Sequence, residues 1–480
     1  MTAREQLAQF AAGSKALPRL CREYKKERAT VHLKELVGGA LSFYAAAAVG
    51  EDRDAAAYLM NDFYNLLDEK QVYFFPSSYK RSVAYGAEDA QGVVQRTAAM
   101  NAVKGFTKGY LIVCTYPEAL AERVADAETL RRDTIAVKVG DSISIAVLED
   151  ALVDANFTRV DFVYEPGQYS VRGGIVDVFS FSESKPYRID FFGDEVDSIR
   201  RFNISSQLSA DKLDRVEIIP NLNAGDGAAK VSFVQFAGDA AAYWFYDADY
   251  VLRRVNDIRR RTLADMERPE EIDRLMTSRN ALLGDLANCR MLALRDNLPE
   301  RPATAAVEFD TAPQPKFNKN FEMLADDMIR NSLRGYTTYI LSENKVQVER
   351  LENIFHQIGR GQAVVRPLSV TLHEGFVDND LKLCLYTDHQ IFDRYQRYRI
   401  NGEIRRDEQM TVAELNQLRP GDYVVHIDHG VGRFDGLVKI NENGKAHEAI
   451  KLVYKDGDVL FVNVHSLHRI SRYKSGDGEP

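Results

Sequence analysis

Residues 164–203, YEPGQYSVRGGIVDVFSFSESKPYRIDFFGDEVDSIRRFN, constrain the fold of this chain more than any other stretch. Turn signals at Pro166-Gly167, Gly173-Gly174 and Gly193-Asp194 cut it into short runs such as 174–179 and 187–192. Connections this short can only join neighbouring antiparallel strands, so the segment predicts a small antiparallel sheet. The flanking sequence has a different texture. Residues 1–120 alternate helical patterns with β-rich runs, among them 71–76 (QVYFFP) and 109–115 (GYLIVCT). That alternation implies crossover units and a mostly parallel sheet.

A chain of 480 residues exceeds what one core supports, and several domains are expected. The texture divides it into 1–120, a β-rich part at 121–205, and renewed helical and strand-like patterns at 206–300. The last of these includes the basic run 250–261 (YVLRRVNDIRRR), which reads as a solvated helix face because Glu267, Glu270 and Glu271 follow it. Residues 301–320 hold three prolines and little periodicity, and are expected to be a linker. A further α/β unit is expected over 321–405, with strands near 338–341 and 381–386 and a helix near 346–358. Residues 412–474 are almost entirely β in character, with strands expected at 422–427, 432–440, 449–454 and 459–464. The Asp456-Gly457 pair is a hairpin signal, and so many short strands suggest a small barrel.

Net charge is −9, from 62 Lys+Arg against 71 Asp+Glu, so the chain lacks a basic coat. Nucleic-acid binding driven by bulk charge is therefore not expected, and protein partners move up. Cys21, Cys114, Cys289 and Cys384 stand far apart, which excludes a disulfide framework and a cysteine-based zinc site. Five of the nine histidines (His426, His429, His447, His465 and His468) fall in the last domain. Their i, i+3 spacings put side chains on opposite faces of a strand, so no metal site is expected. The N-terminus MTAREQLAQF lacks an apolar signal region, and the apolar run 41–49 is too short to span a bilayer. The expected location is cytoplasmic, with no membrane partner.

Two fragments bear on nucleotide chemistry. Residues 37–43 read VGGALSF, with Gly38, Gly39 and Ser42 placed as in a phosphate-binding loop. Such a loop needs a lysine for the β- and γ-phosphates, and that position holds Leu41. A Gly-Gly turn capping a helix accounts for the same residues. Residues 243–248 read YWFYDA, an apolar strand ending in Asp247, but Ala248 stands where a nucleotide hydrolase would place glutamate. Both defects fall on chemically necessary positions, so a phosphate-loop scaffold here would be degenerate and without catalysis.

The string VRGGIVDVF followed by PYRIDFFGDEVDSIR closely resembles bacterial transcription-repair coupling factors and, more distantly, the B protein of the excinuclease. The resemblance extends to LHEGFV (372–377), YTDHQIFDRYQR (386–397) and PGDYVVHIDHGVGRFDG (420–436). It implies a multidomain α/β protein. Its parts would be an excinuclease B-like α/β domain with a degenerate P-loop (1–120 and 206–300), a small β-rich insertion (121–205), a further α/β domain (321–405), and a Tudor- or SH3-like β-barrel (412–474).

The insertion would bind the A protein of the excinuclease, excinuclease A, through Arg172, Arg188 and Phe192. Two arginines can form bidentate contacts with carboxylates, and an exposed aromatic beside them suits a hot spot. Alternatively, the arginines pair internally with Asp177, Asp190 or Asp194 and Phe192 is core. Phe191 and Phe192 point to opposite sides of a strand, so one can be buried while the other is presented. The last domain resembles the polymerase-interacting domain shared with CarD-type regulators, which implies a grip on the β subunit of RNA polymerase through Leu437 and Ile440. Packing of Ile440 in the barrel is the alternative. The region matching the tyrosine-rich DNA hairpin of excinuclease B, residues 73–89, carries only Tyr79 and Tyr85 beyond its opening strand and no long insertion, which argues against damage verification.

The expected function is that of an N-terminal adaptor portion of a coupling factor, without catalysis or cofactor of its own. The motor, with its ATP, magnesium and double-stranded DNA, would follow beyond the SGDGEP at which this sequence stops. A working ATP-dependent excinuclease or helicase component is the main rival, opposed by Leu41 and Ala248. A standalone CarD-type regulator would leave the VRGG domain idle.

Overall fold

The computed structural model describes residues 2–37, 40, 53–67, 71–78, 90–204, 207–222, 229–266, 268–394, 418–426, 430–442, 445–454, 458–463 and 470–472. The four expected domains gather into two units, Met1–Phe202 with Ser209–Tyr398, and Asn203–Leu208 with Arg399–Pro480.

In the first unit four strands run parallel in the order Ala242–Phe245, Arg290–Ala293, Thr30–Lys34, Ala305–Glu308. Tyr243, Trp244 and Phe245 are buried in succession, as are Met291 and Leu292, the pattern of a parallel sheet covered on both faces. Val72–Phe75 pairs in parallel with Ile112–Thr115. Thr30–Lys34 precedes the β-rich stretch and its sheet neighbours follow it, so one α/β body is split by an insertion. Val124–Ala125 and Lys230–Val231 pair antiparallel across the two crossings. The basic run lies in the helix Ala248–Asp265, which buries Val251, Leu252 and Val255. Four of its five arginines face carboxylates: Arg253 pairs with Asp249, Arg254 with Glu118, Arg259 with Asp273 and Arg260 with Asp257.

After Val72–Phe75 the chain is tied down by a buried ion pair. Arg96 donates to the carbonyls of Pro76 (2.9 Å), Ala119 (3.2 Å) and Glu122 (3.1 Å). Its guanidinium lies 4.1 Å from the Phe75 ring centroid and 3.5 Å from the Glu122 carboxylate. Glu122 in turn accepts from the Ser77 hydroxyl and from both the amide and hydroxyl of Ser78.

Residues 301–320, expected to be a linker, instead contribute two strands. Ala305–Glu308 completes the parallel sheet, and Thr311–Pro313 pairs antiparallel with Phe376–Asp378 of the next sheet. Thr311 Oγ1 also donates to the Glu35 carbonyl at 2.6 Å. The prolines misled because Pro313 ends an edge strand, where a missing N–H costs no ladder bond.

The further α/β body holds five strands in the order Thr311–Pro313, Phe376–Asp378, Leu383–Thr387, Thr337–Leu341, Pro367–Leu368. Helices Phe321–Leu333 and Lys345–Gln357 are capped by Asn320 and Asn344, whose side chains accept first-turn amides. Gly375, of the LHEGFV string, has a steric reason. A Cβ there would lie 2.0 Å from Gln314 Oε1 and 2.7 Å from the Leu385 carbonyl.

The insertion carries six strands in the order Ser209–Leu213, Glu195–Phe202, Tyr187–Phe192, Ile175–Val178, Gln168–Arg172, Thr158–Arg159. All neighbours are antiparallel except the last two. The side chains of Tyr169, Val176, Val178, Tyr187, Ile189 and Ile199 form one face and pack with Leu148 and Leu152 of the helix Ile145–Asp154. Gly173 (φ +60°) and Gly193 (φ +63°) take left-handed backbone at the two hairpin turns the sequence marked.

In the second unit five antiparallel strands run in the order Val459–Asn463, Lys445–Val453, Gly430–Glu442, Tyr423–His426, Ile470–Arg472. Val424, Phe434, Ile450, Leu452, Val462 and Ile470 form its core. The 455–457 turn lies outside the described residues. Among the described residues no helix is long and apolar enough to cross a membrane.

Candidate protein-docking face

Strand alternation divides the insertion sheet into a core face and an outer face. In Tyr187–Phe192, Tyr187 and Ile189 are buried and Phe191 packs against the same core. Arg188, Asp190 and Phe192 therefore point outward. Register places Asp177 opposite Arg188, Ser170 opposite Asp177, and Arg200 opposite Arg188 on the other side. Every second residue of four strands thus meets on one surface.

Two ion-pair groups cover that surface. Asp177, only 1% exposed, receives Arg188 as a fork, Nε at 2.7 Å and Nη2 at 2.8 Å. It receives Arg172 as well. Two guanidiniums thus share one carboxylate, and the bond to Asp177 raises the Arg188 pKa further. The back of Arg188 lies 4.4 Å from the Phe202 ring centroid. Asp190 binds Arg200 and the Ser198 hydroxyl, the latter at 2.7 Å.

Phe192 has no place in either group. At the strand end, before the Gly193 turn, it is 83% exposed. The internal pairing weighed for Arg172 and Arg188 is present, on Asp177, whereas core burial of Phe192 is not. Sequence reasoning passed over Phe162 and Tyr164, which are 46% and 40% exposed beside Arg172. The alternation Phe162 out, Val163 in, Tyr164 out was the available signal.

The candidate nucleotide residues fare differently. Gly38, Gly39, Leu41 and Ser42 lie outside the described residues. Asp247 stands past the C-terminal end of Ala242–Phe245, the position where open parallel sheets gather ligands. Its carboxylate caps the next helix, accepting from the Tyr250 amide at 2.8 Å, and also receives Asn297 (2.8 Å) and Arg295 (3.1 Å). Burial raises its pKa, but these hydrogen bonds outweigh burial and hold it below the ordinary aspartate value. Both of its oxygens are engaged, one of them as the helix cap, and Ala248 is buried as the first residue of that helix.

In the second unit a bulge falls between Phe434 and Leu437. Beyond it Leu437 is 46% exposed although register sets it opposite the buried Ile450. Ile440 pairs with His447 in the backbone ladder; its side chain, like those of His429, His447, His465 and His468, lies outside the described residues. The pairing with Tyr423–His426 ends at Arg433. Among the described residues the other edge of Gly430–Glu442 pairs with no strand from Asp435 onward.

The model of the UvrB interaction domain matches residues 135–223, which contain the ion-paired sheet. The CarD-like/TRCF RID domain matches residues 418–474. Along most of its length the chain is similar to the N-terminal region of transcription-repair-coupling factors. It is 23% identical to that of Staphylococcus epidermidis (strain ATCC 35984) over 87% of this chain and 42% of the relative. The Escherichia coli (strain K12) factor is 25% identical over 81% and 39%, and that of Bacillus subtilis (strain 168) 22% identical over 93% and 45%. The chain thus spans less than half the length of the curated relatives it matches.

Proposed function

We propose that this chain is the adaptor portion of a transcription-repair coupling factor, with one docking domain for excinuclease A and one for the RNA polymerase β subunit. The observation that carries this reading is the outer face of the insertion, which an exposed phenylalanine shares with two arginines in the domain matched as a UvrB interaction domain. Phe192 is the apolar anchor and Arg172 and Arg188 set the charge around it. The second unit is read as the polymerase-binding barrel, gripping the β subunit through Leu437, Ile440 and the strand edge past Asp435. An unpaired edge with a neighbouring exposed aliphatic is a recurrent mode of strand addition.

In this reading the chain performs no catalysis. Leu41 and Ala248 leave the phosphate-loop scaffold without its lysine and its glutamate. ATP, magnesium and double-stranded DNA belong to a translocating motor elsewhere in the whole protein, and the adaptor works in the cytoplasm. The test is a titration of the 480-residue chain against purified excinuclease A and purified RNA polymerase β subunit. Both are expected to bind, while ATP shows no saturable binding. Leu437→Arg is expected to weaken the polymerase interaction at least about tenfold, with excinuclease binding and melting temperature unchanged. Full polymerase affinity in that variant would remove Leu437 from the interface.

A further inference from the structure

The segment ahead of Gln168–Arg172 is held against the outer face as firmly as a strand. The Val160 amide donates to the Tyr169 carbonyl (2.9 Å), and the Ser170 hydroxyl donates to the Asp161 carbonyl (2.9 Å). The amides of Tyr164 and Glu165 both donate to Gln168 Oε1, at 2.8 and 3.0 Å. Between these ties Val163 is buried, which turns the rings of Phe162 and Tyr164 to the surface. The Arg172 guanidinium carbon lies 4.8 Å from the Phe162 ring centroid. Arg172 is thus clamped between a carboxylate and an aromatic face, two contacts that together fix the plane of its fork.

We propose that Phe162 and Tyr164 form a second apolar contact on the face that binds excinuclease A, and that Phe162 also positions Arg172 for that partner. This rests on the reading of the insertion as the docking domain and extends its face from the Tyr187–Phe192 strand end to the segment before Gln168. The face has a chemical signature. Three arginines (Arg172, Arg188 and Arg200) and two aspartates (Asp177 and Asp190) pair on it, with exposed rings at Phe192, Phe162 and Tyr164. The complementary partner surface carries a carboxylate flanked by apolar side chains.

The experiment is a set of binding isotherms of the 480-residue chain with purified excinuclease A. Phe162→Ala is expected to weaken binding about tenfold and Tyr164→Ala about fivefold, with melting temperatures unchanged. Phe162→Tyr restores affinity because it keeps the aromatic face. Phe162→Leu keeps an apolar group but no ring, and gives an intermediate loss; it also serves if the alanine variant fails to fold. In an Arg172→Ala background the effect of Phe162→Ala shrinks, because the guanidinium it positions is gone. Wild-type affinity in both alanine variants, in a chain where Phe192→Ala still loses binding, overturns the extended face. Additive losses in the Arg172→Ala background overturn the positioning role. Wild-type affinity in Phe192→Ala as well removes the docking reading itself.

Discussion

Phe192→Ala is expected to lower the affinity for excinuclease A by about 30-fold or more while leaving thermal stability unchanged. The ring is 83% exposed, so its removal opens no cavity and the free chain gives up little buried apolar surface. In a complex the same ring would be desolvated on a face that also carries two guanidiniums, the setting in which aromatic anchors dominate binding energy. The neighbouring arginines cannot be tested as cleanly. Truncating Arg188 strips a buried aspartate of its forked partner and lowers stability together with affinity. Phe192 separates the two effects, with affinity measured by calorimetric titration and stability by a melting curve. Unchanged affinity would place the partner on a different surface.

Breaking the buried pair after Val72–Phe75 is expected to have the largest effect on stability. Arg96→Met and Glu122→Gln should each cost about 3–5 kcal/mol, read from chemical denaturation midpoints of the first unit's transition. The cost comes from what remains. Without Arg96 the Glu122 carboxylate stays buried facing Ser77 and Ser78, and three carbonyls lose their donor. Without the carboxylate charge, the guanidinium stays buried against Phe75 and loses its Glu122 counter-ion. A loss below about 1 kcal/mol in both variants would mean that solvent reaches the pair and that burial does not set its energetics.

Much of the insertion could be read from residues alone. The Gly173 and Gly193 turns set the hairpins, and the strand Tyr187–Phe192 falls where the sequence put it. Parity separated Phe191 from Phe192, but which ring was buried depended on Ile145–Asp154 covering one face, a contact that strand periodicity does not encode. The shared Asp177 was illegible as a geometry, because it depends on the register that sets Ile175–Val178 against Tyr187–Phe192. The failure at 301–320 has the same origin. Ala305–Glu308 is a strand because Thr30–Lys34 offers it an edge, and no local signal reports a partner so distant along the chain. Asp247 was correctly placed after a strand, yet its engagement by Arg295 and Asn297 appears only once the neighbouring strand is in position.

The split of the first α/β body sets an order of events during synthesis. Thr30–Lys34 leaves the ribosome early but acquires its sheet neighbours only when Arg290–Ala293 and Ala305–Glu308 have been made. The insertion needs no such wait, since its strand pairings run between residues 135 and 218 and its sheet grows mainly by successive hairpins. Local pairings close faster than distant ones. The module carrying Phe192 therefore matures while its host is still an open half-sheet with an unfilled edge. Pulse proteolysis of stalled nascent chains would find a protected fragment centred on the insertion before any protection of Thr30–Lys34.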